Sequence, residues 1–152
     1  MQVSDDIRDL LAIFVSYAVE FAVCGGHAVA FHGYPRFTMD VDLVVVPSEE
    51  NADRVMEALR HFGFGEAGIP REVFTRTGTA VTLGAQPNEV DLLTSISSVP
   101  TAEIVGRAVC GTLAGIDVRF VARDDMMTAK REAGRPKDLA DLDELERFTR
   151  ED

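Results

Sequence analysis

Between Phe21 and Leu43 the chain runs through a short apolar stretch, a Gly25-Gly26 break, and a second apolar stretch that carries Asp40 and Asp42. No other segment limits the fold as much. Phe21 to Cys24 predicts a buried strand. His27 to Phe31 predicts a helix closing near Gly33, and Met39 to Val46 predicts a second strand stopped by Pro47. Side chains on a strand alternate between faces, so Asp40 and Asp42 project to one side with Cα atoms roughly 6–7 Å apart. Two carboxylates among valines and a leucine repel each other and lose hydration, which is costly unless a cation or several donors compensate. A divalent metal would compensate, and oxygen ligands of this kind suit Mg2+, with Mn2+ as a substitute.

The rest of the chain places helices around these strands. Ser4, Asp5 and Asp6 form a helix start, followed by Ile7, Leu10, Leu11, Phe14 and Ala18 at helical spacing. Ser48 with Glu49 and Glu50 starts a helix carrying Val55, Leu59 and Phe62, closed by Gly63 and Gly65. Val73 to Thr77, Thr79 to Gly84 and Glu89 to Leu93 predict an antiparallel meander, with turns at Gly78 and at Gln86-Pro87-Asn88. Thr101 to Arg107 predicts a short helix, and Val109 to Leu113 with Ile116 to Val121 a hairpin turning near Gly115. Asp124 to Ala133 and Pro136 to Thr149 predict two final helices divided at Gly134, with Pro136 at a first-turn position. The expected fold is α/β or α+β, a mixed sheet flanked by helices, and 152 residues at 46% hydrophobic content predict one domain, 1–152.

Composition removes several classes of function. A net charge of −11 argues against gripping long nucleic acids by phosphate neutralisation, so compact partners are expected. No apolar run reaches the roughly 20 residues of a membrane span, and the acidic start lacks the pattern of a signal peptide. A cytoplasmic protein with no membrane partner is the expectation. Cys24 and Cys110 lie far apart among apolar neighbours and are expected to be buried thiols rather than a disulfide.

Asp91 supplies a third carboxylate on the apolar run Glu89-Val90-Asp91-Leu92-Leu93. Were that strand beside the one carrying Asp40 and Asp42, the three acids could hold two metals roughly 4 Å apart, as phosphoryl chemistry commonly uses. Gly25-Gly26 lets backbone amides approach a triphosphate at the start of the next helix. Each feature also has a plainer reading. An Asp-x-Asp pair occurs on exposed edges and in glycosyltransferases, a Gly-Gly pair is commonly a turn, and Asp91 could cap a helix or pair with an arginine. His27 and His32 lack zinc-ligand spacing and fit packing or hydrogen bonding. Arg36 and Thr38 could pair with nearby acids, and Lys130 could be a solvated helix residue.

Taken together, Gly25-Gly26-His27-Ala28-Val29 through Gly33, then Arg36-x-Thr38-x-Asp40-x-Asp42, resembles the DNA polymerase β-like nucleotidyltransferase superfamily. Within it the same residues resemble the abortive-infection and type IV toxin–antitoxin nucleotidyltransferases. The segment from Lys130 through Gly134-Arg135-Pro136-Lys137-Asp138-Leu139-Ala140-Asp141-Leu142 is similar to the C-terminal helix of many members. The resemblance spans about residues 5 to 148. It implies transfer of a nucleoside monophosphate from an NTP such as ATP to a hydroxyl on an RNA end, a protein or a small molecule. It also implies that Asp40, Asp42 and Asp91 ligate metal and form the catalytic set. Gly25, Gly26, Arg36, Thr38 and Lys130 would bind nucleotide; Lys137 and Asp138 either join them or only fix the last helix. Gly26 departs from the serine of many members. A further acceptor-binding helical domain after residue 152, as in larger relatives, is not expected, so the acceptor site is expected from a second subunit in a homodimer or from a partner protein. The alternative is a catalytically weak or inactive fold relative acting as a binding or regulatory protein in a toxin–antitoxin-like system; a glycosyltransferase is a poorer fit, because its nucleotide-binding domain normally precedes the Asp-x-Asp.

Overall fold

The computed structural model describes residues 4–33, 40–65, 67–85 and 89–151, the last four as backbone. Its elements run α1 (Asp5–Ser16), β1 (Phe21–Cys24), α2 (Gly25–Phe31), β2 (Val41–Val45), α3 (Glu49–Phe62), a 3-10 turn (Arg71–Phe74), β3 (Ala80–Leu83) and β4 (Val90–Leu93). They continue with α4 (Thr101–Gly106), β5 (Val109–Leu113), β6 (Ile116–Phe120), α5 (Arg123–Ala133) and α6 (Pro136–Glu151). The strands form one mixed sheet in the order β3-β4-β2-β1-β6-β5. The predicted α/β architecture is the one observed.

Local chemistry explains most element boundaries. The Ser4 hydroxyl accepts from the Ile7 amide and the Ser48 hydroxyl from the Asn51 amide, so both predicted caps start their helices. Ile7, Leu10, Leu11 and Phe14 form the buried stripe of α1, where Phe14 meets Phe21 of β1 edge-on at 5.5 Å. Phe21 pairs with Val45 and Val23 with Leu43 across the antiparallel β1–β2 ladder, so these side chains share the face that α1 covers. The opposite face carries Cys24 paired with Asp42, and Ala22 paired with Val44. Asn51, fully buried on α3, accepts from the Glu20 amide at 2.7 Å and donates to the Glu20 and Val46 carbonyls at 3.0 and 2.9 Å. It thereby satisfies backbone groups where β1 begins and β2 ends.

Four expectations need correction. The run Val73 to Thr77 is not a strand: Pro70 caps a 3-10 turn in which Val73 N bonds Pro70 O, and only Phe74 of the turn is buried. The meander therefore reduces to the β3–β4 pair, and β4 also runs parallel to β2. Helix α2 begins at Gly25, two residues early, and β2 begins at Val41, so Asp40 immediately precedes the strand. Cys24 is buried as expected, but Cys110 is exposed, because β5 is the outermost strand and its side chains have a strand neighbour on one side only. The turn at Gln86-Pro87-Asn88 lies outside the described residues. Among the described residues no helix is long and apolar enough to cross a membrane.

Candidate active site

Strand pairing brings the carboxylates together. In the parallel β2–β4 ladder Asp42 stands directly opposite Asp91, and Val44 opposite Leu93, on the face that also carries Cys24. Asp40 enters the same cleft from just before β2. The Thr82 hydroxyl, paired with Asp91 across β3–β4, donates to Asp91 Oδ1 at 2.6 Å and fixes that carboxylate. The adjacency of the two acidic strands that the sequence only permitted is present, with Asp40, Asp42 and Asp91 lining one cleft of about 890 Å3.

The electrostatics follow from that crowding. The Asp42 carboxyl is pushed up to about 7, first by burial, then by its hydrogen bond and repulsion from Asp91 and by the charge of Asp40; Lys130 opposes the shift. Burial, reinforced by Asp42, also pushes the Cys24 thiol up, which keeps it a neutral wall. Among the described residues no three His, Cys, Asp or Glu side chains converge as a ready-made metal cage. The Asp42–Asp91 pair still fits Mg2+, which takes one or two carboxylates from protein and other oxygens from water and phosphates.

Gly25 has a second reason to be glycine. Its φ of +64° is strained for residues with a side chain, and a Cβ there would overlap the Asp42 carboxylate. The missing side chain is therefore the room that Asp42 occupies. Gly26 also lines the cleft. His27 does not: it is packed at 2% exposure, neither ring nitrogen has a partner among the described residues, and burial lowers its pKa. His32 hydrogen-bonds the Val121 carbonyl through Nε2 at 2.7 Å, and burial likewise lowers its pKa. Arg36 and Thr38 lie outside the described residues.

Helices α5 and α6 form the opposite wall. Lys130 reaches into the cleft at 15% side-chain exposure, with Nζ 3.0 Å from Asp141 Oδ2 and 3.5 Å from Asp138 Oδ1. Arg135 grips Asp138, Nε to Oδ2 at 2.6 Å, and holds that carboxyl below its ordinary value with help from Lys130 against the cost of burial. Lys130 is thus no solvated residue. Sequence reasoning left Asp138 undecided and passed over Asp141 and Arg135. The available signal was spacing: aspartates at i and i+3 share a helix face, and a helix reversing at Gly134 turns that face toward Lys130.

The model of a protein family described as nucleotidyl transferase AbiEii toxin, type IV TA system, matches residues 8–152. No curated protein matches the chain. With strand, glycine break, paired carboxylates and terminal helices all falling inside that match, the chain belongs to the AbiEii nucleotidyl transferase toxin family of type IV toxin–antitoxin systems.

Proposed function

We propose that this chain acts as one catalytic domain, a divalent-metal-dependent nucleotidyltransferase that moves an NMP from an NTP to a hydroxyl acceptor on an RNA end, a protein or a small molecule. The observation that carries this reading is the direct pairing of Asp42 with Asp91 on adjacent parallel strands, half-buried and repelling, in a cleft that also holds Lys130. Such a pair is costly without a cation and serves well with one.

In this reading Asp40 and Asp42 would hold Mg2+ or Mn2+, and Asp91 would complete the set. A cation bound there would tie the carboxylates to the substrate phosphates and offset the charge that develops on them. Asp91, oriented by Thr82, takes the proton of the acceptor hydroxyl. The acceptor oxygen bonds to the α-phosphorus, the bond to the bridging oxygen breaks, and pyrophosphate leaves. Gly25 and Gly26 present backbone amides to the β- and γ-phosphates. Lys130, with Arg36 and Thr38, stabilises charge on the departing pyrophosphate.

Incubating the protein with Mg2+ and each α-labelled NTP, alone and with total RNA and lysate, tests the assignment. Label should move to an acceptor with the wild type and not with Asp42→Ala. Saturable NTP binding without transfer would instead support a nucleotide-binding regulator of a toxin–antitoxin pair. Absence of both would overturn the site.

A further inference from the structure

The chain contains two lysines, Lys130 and Lys137, and both line the cleft. Their surroundings differ. Lys137 is exposed and makes no ion pair among the described residues, whereas the Lys130 ammonium sits between two buried aspartates. We propose that Asp138 and Asp141 are positioning residues that hold the Lys130 ammonium in place for the transferred nucleotide, an inference resting on the nucleotidyltransferase reading above.

The geometry carries the division of labour. Asp138 and Asp141 lie one turn apart on α6, and α5 and α6 pack against each other after the left-handed Gly134 at φ +66°. Asp138 is 1% exposed and is itself held by Arg135, through Nε at 2.6 Å and Nη2 at 3.3 Å. Asp141 is the nearer partner of Lys130 at 3.0 Å. An ammonium has three N–H donors and no acceptor. Asp138 accepts one hydrogen bond and Asp141 stands in ion-pair contact, which leaves donor capacity for a phosphate oxygen in the cleft. A lysine side chain otherwise samples many rotamers, and fixing it before substrate arrives removes an ordering cost from the reaction. Because two carboxylates already balance its charge, Lys130 acts through direction more than through net attraction. Its removal from the cradle should therefore lower turnover more than nucleotide affinity.

The two-lysine composition makes this directly measurable. Brief acetylation of the native protein, followed by peptide mass spectrometry, reports each lysine separately, with Lys137 as internal control. Lys130 should react several-fold more slowly than Lys137, because its ammonium is packed against two carboxylates at 15% side-chain exposure whereas Lys137 is exposed. Asp141→Asn should raise the Lys130 rate toward that of Lys137 while leaving thermal melting nearly unchanged. In transfer assays it should lower kcat about tenfold to a hundredfold with KM for NTP nearly constant, the signature of misplacement. Asp141→Glu should restore part of the protection. Equal labelling of the two lysines in the wild type would overturn the cradle without any variant. Unchanged kcat in a folded Asp141→Asn would overturn its positioning role. If the wild type transfers no nucleotide, the proposed function fails while the labelling ratio still decides whether the lysine is held.

Discussion

Two groups of aspartates face each other across the cleft, and the acidities of one member of each, Asp42 and Asp138, move in opposite directions. Asp42 and Asp91 stand on neighbouring strands and, among the described residues, form no ion pair with an arginine, and Asp42 is driven up to about 7. Asp138 is 1% exposed where Asp42 is half-buried, yet the hydrogen bond from Arg135 and the charge of Lys130 hold it below the ordinary carboxylate value. Burial raises both; the difference lies in what each carboxylate touches. In the proposed reading one group awaits a cation that comes with substrate, whereas the other already has its cations from the chain.

Breaking the first group should have the largest effect. Asp42→Asn removes one of the paired charges and should lower metal-dependent transfer by about a thousandfold or more, the scale of losing a direct transition-state contact. The apo fold should survive, with a melting temperature equal to or above that of the wild type. A variant that keeps full transfer would end the assignment.

The second group should answer differently to the same kind of change. Asp138→Ala removes an acceptor from Arg135 and Lys130 and should cost about 2–3 kcal/mol of folding stability, measured by urea unfolding. The contrast expected is an effect of Asp42 on transfer alone and of Asp138 on the fold as well.

Acidity offers a finer test. Because the folded-state pKa of Asp42 is raised, its contribution to apo stability is fully present below the unfolded value of roughly 4 and is lost as pH rises toward about 7. Asp138 is lowered, so its contribution is present above roughly pH 4 and lost as pH falls through its folded value. Between pH 4 and 7 the wild type should lose stability relative to Asp42→Asn with a slope up to about 1.4 kcal/mol per pH unit. Parallel curves for the two proteins would contradict the crowding. Thr82→Val should have the smallest effect, about 1 kcal/mol or several-fold in transfer, by freeing the Asp91 carboxylate.

Much of this was legible without coordinates, and the reasons are local. Ser4 and Ser48 mark helix starts because a short oxygen at that position meets an orphan amide. The hairpin at Gly115 and the break at Gly134 follow from left-handed backbone that glycine adopts freely. The Val73 to Thr77 error has a local cause too: β-branched and aromatic residues suggested a strand, while Pro70 and the burial of Phe74 alone selected a turn.

By itself the sequence determined the order of elements, the glycine break and the identity of the acids, because hydrophobic period and turn chemistry act over a few residues. Tertiary structure decided which acids meet. Only strand order places Asp91 beside Asp42, 49 positions away in the numbering, and only the α5–α6 packing turns Asp138 and Asp141 onto Lys130. Only the fold reveals that Gly25 is bare to make room for Asp42, since that contact joins a helix start to the neighbouring strand. Pairing across a sheet and packing between helices are long-range choices, settled by burial of whole faces rather than by any residue's local preference.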